Sequence, residues 1–206
     1  MGRAVALETP QRWGGLIDLP DTGTGTGTGD PDERALARLA DVLGGADGED
    51  QLAVRASGVL VRRLARMPRS ADTAGAGWTP RGTVLITGGT GALGAQVARH
   101  MARGGAEHIV LTSRRGPDAP GAPELVSEIQ ELGAEATVVA CDVSDRRQVA
   151  DLLRSLPEDR HPLKAVVHAA GTPQFAPTDT LTPADLSAVV AAKAAGAAHL
   201  DELLED

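Results

Sequence analysis

From residue 81 onward the chain alternates two kinds of apolar pattern. Short runs with no polar interruption, Thr83-Val84-Leu85-Ile86-Thr87, His108-Ile109-Val110-Leu111-Thr112, Thr137-Val138-Val139-Ala140 and Ala165-Val166-Val167-His168, are separated by stretches whose apolar residues recur every three or four positions. Uninterrupted runs of this length suit strands buried on both faces, as parallel strands are. The intervening stretches predict helices: one carries Leu93, Val97 and Met101 and ends at Gly104-Gly105, the next carries Leu125, Ile129 and Leu132 and stops at Gly133. A third carries Val149, Leu152, Leu153 and Leu156 before Pro157, with Asp145 and Gln148 spaced as a capping box at its start. Pro183 opens a last helix with Leu186, Val189, Val190, Ala197, Leu200 and Leu204 along one side. Strand and helix alternating in this way predict an α/β fold with a Rossmann-like, doubly wound parallel sheet, of which these are the first four strands.

Residues 1–80 lack that rhythm. Trp13 to Pro20 holds one short strand, and Thr22 to Gly29 is a Thr-Gly repeat that reads as a flexible loop. Pro31 opens a helix with Leu36, Leu39 and Leu43 on one face, ended by Gly44-Gly45. The stretches 51–56 and 59–64 predict a strand pair with one wet side, and 69–77 a linker. The predicted division is 1–80 and 81–206.

Composition narrows the function. The chain has 206 residues, 42% of them hydrophobic, but only two Trp, one Phe and no Tyr, so its core is built from Ala, Val, Leu and Ile. A formal net charge of −8 disfavours nucleic acid and anionic membranes as partners. No stretch has the length of a membrane span and no secretory signal is visible, so cytoplasm is the expected setting. The single cysteine, Cys141, excludes an internal disulfide and no metal-ligand spacing is present.

Candidate chemistry begins where the first strand breaks into Thr87-Gly88-Gly89-Thr90-Gly91-Ala92-Leu93-Gly94. Gly88, Gly91 and Gly94 at three-residue spacing permit a tight turn, close approach of backbone N–H groups to a pyrophosphate, and a helix lying close to the sheet. The second strand ends in Ser113, Arg114 and Arg115, with no carboxylate before Asp118. In a dinucleotide fold an acid at that tip favours NAD and an arginine the 2′-phosphate of NADP, so NADPH is the expected cofactor. After the third strand, Asp142 can accept the adenine amino group and Val143 can cover the ring. The fourth strand runs through His168 into Ala169, Ala170 and Gly171, small residues that let a cofactor approach; His168 itself reads as a packed strand-end residue. Lys193 lies seven positions from both Leu186 and Leu200, in the middle of an apolar stripe, which is costly unless its head reaches a polar site.

Taken together in this order, the Thr87 to Gly94 stretch, Ser113-Arg114-Arg115-Gly116, Cys141-Asp142-Val143-Ser144-Asp145, His168-Ala169-Ala170-Gly171 and Lys193 resemble the ketoreductase domain of bacterial modular polyketide synthases. These are short-chain dehydrogenase/reductases, and the resemblance covers nearly the whole chain. It implies NADPH-dependent reduction of a β-ketoacyl group carried by an acyl carrier protein, with other domains of the same synthase module as partners. It also implies that residues 1–80 close a structural subdomain preceding the catalytic one. The family's catalytic lysine stands in a Lys-x-x-Gly-Ala pattern, matched by Lys193-Ala194-Ala195-Gly196-Ala197, where it holds the nicotinamide ribose and lowers the pKa of a tyrosine acid.

The departure is a missing serine and tyrosine, which the family carries beyond this helix. The expectation is therefore a fragment, inactive alone and completed by a C-terminal half. Where D-hydroxyl ketoreductases carry Leu-Asp-Asp, this chain has Pro173-Gln174-Phe175 after Thr172, which leans towards an L-hydroxyl product. Two other readings share the fold: a non-catalytic scaffold within a megasynthase, and an extended-type nucleotide-sugar epimerase or dehydratase.

Overall fold

The computed structural model describes residues 2–20, 33–45, 48–67, 78–156 and 160–204, and they group into two compact units. The Thr-Gly repeat, Pro31, the 69–77 linker and Pro157 lie outside the described residues.

The first unit contains α1 (Gly2–Glu8), β1 (Leu16–Asp18), α2 (Glu33–Gly44), β2 (Gln51–Arg55) and β3 (Gly58–Val61), and the segment Pro177–Thr180 clusters with it. The Glu8 carboxylate accepts the Thr178 N–H at 2.8 Å and its hydroxyl at 2.6 Å, which holds the Glu8 carboxyl below its ordinary range. β1 runs parallel to β2, and β2 pairs antiparallel with β3. Leu52 and Val54 are buried while Val59, Leu60 and Val61 stay 40–50% exposed, so this sheet has the expected wet side. The face of α2 differs from the expectation. Leu36 and Leu43 are exposed, and Ala35 is buried instead, with Leu39 and Val42 half-buried. The reason is polar: Arg38 turns inward to donate to the carbonyls of Arg55 at 3.0 Å and Ala56 at 3.2 Å, which close the hairpin, and this sets the helix rotation. The helix α1 carries no buried residue and left no pattern for the sequence to show.

The second unit holds β4 (Thr83–Thr87), α3 (Ala92–Arg103), β5 (His108–Ser113), α4 (Ala122–Glu131), β6 (Glu135–Ala140), α5 (Arg146–Ser155), β7 (Leu163–His168), α6 (Pro183–Val190) and α7 (Gly196–Leu204). All four strands are parallel, in the order β6-β5-β4-β7. This is the doubly wound order expected from the strand and helix alternation. Successive residues of each strand serve opposite faces. Val84, Ile86, Ile109 and Leu111 pack with Ala98, Ala102, Leu125 and Ile129 of α3 and α4; Leu85 and Val110 pack with Val143, Val149, Leu152 and Leu200 on the side of α5 and α7. Every residue of β4 is buried.

The buried stripe of α3 is Gly94, Ala98 and Ala102, with Val97 and Met101 only half-buried and Leu93 78% exposed, so the Leu93 stripe is displaced. Small residues win that face because the helix lies close to the sheet and leaves no room for leucine. At the N-terminal edge, His108 bridges three strands through Thr83 Oγ1 at 3.1 Å and Thr137 Oγ1 at 2.9 Å. Burial holds its ring below the ordinary histidine pKa. No helix among the described residues is long and apolar enough to cross a membrane.

In chemical denaturation, Ile129→Ala, at a site with no exposure, is expected to cost about 2–5 kcal/mol. Leu93→Ala, on the same unit, is expected to change stability by no more than about 0.5 kcal/mol.

Candidate functional site

Adjacent strands β4 and β7 send their following helices to different faces, so the chain parts at their C-terminal ends and leaves a crevice. The β4 side is the glycine turn. Gly88 takes φ +64°, and a Cβ there would fall 2.7 Å from the Ala170 Cα and 2.8 Å from its nitrogen. A Cβ at Gly89 would meet Leu111 at 2.7 Å, and the Gly89 N–H donates to the Thr112 carbonyl at 2.9 Å. A Cβ on Gly94 would strike the Gly88 carbonyl oxygen and approach Gly89 Cα to 2.7 Å. Gly94 thus packs on the turn itself, and Gly88, Gly89 and Gly94 are the positions where a side chain is forbidden, whereas a Cβ on Gly91 would meet only the Gly88 carbonyl oxygen at 3.2 Å.

The Gly91 N–H donates to the Gly88 carbonyl at 3.0 Å, and Gly91 caps α3 without any side-chain acceptor. The amides of Ala92, Leu93 and Gly94 therefore open α3 with no hydrogen-bond partner among the described residues. A 12-residue helix adds its positive end to those donors. Thr90 is half-buried beside them, and Gly91, Ala92 and Leu93 are exposed.

At the tip of β5, the Ser113 hydroxyl is buried with no partner among the described residues. Arg114 and Arg115 are exposed, and neither guanidinium makes a hydrogen bond or ion pair among the described residues. At the tip of β6, Asp142 Oδ1 accepts from the Ser144 N–H at 3.0 Å and hydroxyl at 2.7 Å, while Oδ2 has no partner among the described residues. The Val143 side chain is packed in the core rather than open to cover a ring, and its N–H has no partner among the described residues. Asp145 caps α5, accepting from the amides of Arg147 at 2.9 Å and Gln148 at 3.4 Å; the Gln148 and Arg147 bonds hold its carboxyl below the usual range. The Gln148 carbonyl turns instead to the Asp142 N–H at 2.9 Å, so the reciprocal box expected there is diverted to brace the Asp142 turn.

The β7 tip is tied to β4: the Ala169 N–H donates to the Thr87 carbonyl at 3.1 Å, and the Ala170 N–H to Thr87 Oγ1 at 3.3 Å. His168 Nδ1 lies 2.7 Å from Thr87 Oγ1, and its Nε2 lies 3.1 Å from the Lys193 carbonyl oxygen. Both ring nitrogens are thus engaged. The last helix is interrupted. Ala191–Ala195 forms a π-helical turn between α6 and α7, and Lys193 sits in its middle, exposed. The expectation of an ammonium within a buried stripe is corrected: Leu186 and Val190 are themselves 46% and 48% exposed, and the extra residue of the turn shifts the helical phase before Leu200 is buried. Lys193 lies against Gly171, where a Cβ would be 2.6 Å from its Cε and 3.1 Å from its Nζ.

Three features escaped the sequence reading. The π-turn has no pattern in a run of alanines. Gly196, buried against Val143 and His168, was visible only as part of a motif. The true capping box is Thr182 with Asp185, whose amide and carboxylate exchange bonds with the Thr182 hydroxyl and N–H, and the Thr-Pro-Ala-Asp spacing could have found it. Cys141 is no nucleophile: burial foremost, then the Asp142 and Asp145 charges, push its thiol up to about 11. Among the described residues no group of three side chains could hold a metal ion.

The fold and crevice define a Rossmann-like protein of short-chain dehydrogenase/reductase type. More narrowly, the chain belongs to the KR domain family, whose model matches residues 82–206, and its relatives place it with the ketoreductases of modular polyketide synthases. It is 50% identical over 204 residues to the pikromycin polyketide synthase component PikAIII of Streptomyces venezuelae, covering 99% of this chain and 12% of that protein. It is 49% identical over 207 residues to the erythronolide synthase EryA3 of Saccharopolyspora erythraea, covering all of this chain and 6% of that protein. Among solved structures, an A-type ketoreductase from a modular polyketide synthase superposes with a TM-score of 0.82 at 51% identity, over 100% of this chain and 42% of the other.

Gly94→Ala is expected to cost about 1–3 kcal/mol, because backbone rather than a movable side chain meets the new methyl. A thermal melt by circular dichroism would read this as a fall of about 2–4 °C per kcal/mol. For Cys141, the native chain at pH 8 should resist iodoacetamide and label only when unfolded. The unfolded thiol ionises from about pH 8.5, before the folded one at about 11, so this group's contribution to stability is full below that window and falls as pH rises through it.

Proposed function

We propose that residues 81–206 form the NADPH-binding half of a polyketide synthase β-ketoacyl reductase, and that residues 1–80 close its structural subdomain. The supporting observation is the convergence at one sheet edge of three unpartnered amides opening α3, two unpaired guanidiniums at the tip of β5, and backbone packed too tightly for any Cβ. These donors fit a dinucleotide carrying a 2′-phosphate. The Ala92, Leu93 and Gly94 amides hold the pyrophosphate, with the positive end of α3 behind them. Arg114, Arg115 and the Ser113 hydroxyl take the 2′-phosphate, an anion that a guanidinium pair binds with charge-assisted bonds. Asp142 Oδ2 and the Val143 N–H remain free to meet the adenine edge. Gly88, Ala169, Ala170 and Gly171 line the approach with backbone alone.

NADPH, when bound, supplies the hydride. Lys193, standing over Gly171, holds the nicotinamide ribose and raises the positive potential where an acid must release its proton. That acid, a tyrosine, comes from outside this chain, whose sequence has none, and the serine that polarises the ketone belongs with it. The substrate class is a β-ketoacyl thioester on an acyl carrier protein. Exposure of Lys193 removes the desolvation cost that would argue against its presence in a scaffold, so the support for a reductase half rests on the crevice and not on the lysine's burial.

Fluorescence titration of this chain with reduced cofactors tests the reading. Saturable NADPH binding is expected, and Arg114→Ala and Arg115→Ala should each raise its Kd about 10- to 100-fold while leaving NADH nearly unchanged. Equal losses for both cofactors, or no binding at all, would defeat it. When a serine- and tyrosine-bearing complement is added, oxidation of NADPH by a β-ketoacyl thioester should appear, and Lys193→Met should lower its rate by about 100-fold or more.

A further inference from the structure

We infer that His168 is a positioning residue, which fixes the π-turn and thereby the place of Lys193 over Gly171. This rests on the proposed role of Lys193 toward the cofactor ribose, and on three observations independent of that role. The first is hydrogen-bond polarity. A backbone carbonyl can only accept, so the 3.1 Å contact to the Lys193 oxygen requires the proton on Nε2 of His168. In the neutral ring Nδ1 then accepts, and the Thr87 hydroxyl donates to it across 2.7 Å while itself accepting the Ala170 N–H at 3.3 Å. Donors run in a single direction from the Ala170 amide through Thr87 and His168 to the helix that carries Lys193, and each member has its partner.

The second is the π-turn. The Gly196 N–H donates to the Ala191 carbonyl, five residues back, and also reaches the Lys193 carbonyl. A regular α-helix would give the Lys193 carbonyl to Ala197. Here that oxygen accepts from the Gly196 N–H and, from outside the helix, from His168 Nε2. Were the extra residue squeezed out, the residues on one side of it would rotate by roughly 100° about the helix axis relative to the other, carrying Lys193 off Gly171. The third is close packing. Gly196 is buried, with its α-carbon so near the ring that a Cβ would lie 3.1 Å from His168 Cε1 and 3.0 Å from Val143 Cγ2. The helix is held against the ring by contact as well as by the hydrogen bond. His168 therefore reaches the reaction only through Lys193; with both nitrogens committed it has no polar atom left for the cofactor.

Two measurements on the full chain test this. In the first, side-chain 15N NMR of histidine-labelled protein, with His168→Gln used to assign its signal, should show a proton on Nε2. Amide hydrogen exchange at 193–197 should be faster in His168→Leu and in Thr87→Val than in His168→Gln, which keeps a donor at the Nε2 position. A ring without a proton on Nε2, or exchange unaffected by His168→Leu, would overturn the inference whatever the cofactor does. In the second, a double-mutant cycle reads NADPH affinity. Lys193→Met and His168→Leu should each raise Kd about 3- to 10-fold, and His168→Leu should cost nothing further in the Lys193→Met background, with His168→Gln near wild type. Additive losses would mean that His168 acts on the cofactor or the fold directly and would overturn the inference. If Lys193→Met leaves Kd unchanged, the cofactor role of Lys193 fails, and the pinning of the turn is decided by the NMR and exchange results alone.

Discussion

Everything at the candidate site depends on how closely three pieces of backbone pass one another just beyond β4. The turn at Gly88 and Gly89 touches the Ala169-Ala170 backbone on one side and Leu111 on the other, and the start of α3 at Gly94 rests on the same turn. No side chain fits between any of them. Because the contacts of Gly88 with Ala169-Ala170 and of Gly94 with the turn are backbone on backbone, they cannot relax by a rotamer change, so they fix the direction in which α3 leaves the sheet. The unpartnered amides opening that helix consequently point to the C-terminal edge of β4, between β5 and β7, where the strand order places the crevice.

The same packing explains which residues are free and which are spent. Polar groups that hold the edge together are paired: Thr87 with His168 and Ala170, Asp142 Oδ1 with Ser144, Asp145 with the start of α5. The crevice side holds groups without a partner among the described residues, namely the α3 amides, Ser113 Oγ, the Arg114 and Arg115 guanidiniums and the Val143 N–H. A buried hydroxyl without a partner is costly in a core and useful in a binding site. This division between committed and uncommitted polar groups is what supports reading the edge as the place where an anionic dinucleotide is held, in a chain of the ketoreductase family.

The π-turn between α6 and α7 adds a second kind of constraint. The Lys193 carbonyl, at the middle of that turn, also meets His168, so the lysine's backbone and side chain are both referred to the end of β7, through His168 and Gly171. A lysine on an uninterrupted helix would be located by that helix alone. Here it is located by the strand that also lines the crevice, which couples its position to the cofactor edge.

Much of this was legible in the sequence for a simple reason: period and side-chain absence are local properties. The four uninterrupted apolar runs became β4 to β7, Gly104-Gly105 and Gly133 end helices, and Gly88, Gly89 and Gly94 mark sites where no Cβ fits. Arg114 and Arg115 without a nearby acid could likewise be read at the end of a strand. What only the tertiary structure decided is rotation and pairing. The buried face of α2 follows Arg38 to the carbonyls of a hairpin some 17 residues away, and that of α3 follows Ala98 and Ala102 because the helix lies too near the sheet for Leu93. Val143 turned its side chain into the core, and Lys193 left the apolar stripe because a π-turn shifted its phase. In each case the outcome was set by a partner distant in sequence, and a pattern of neighbours along one segment carries no information about the surface that segment will meet.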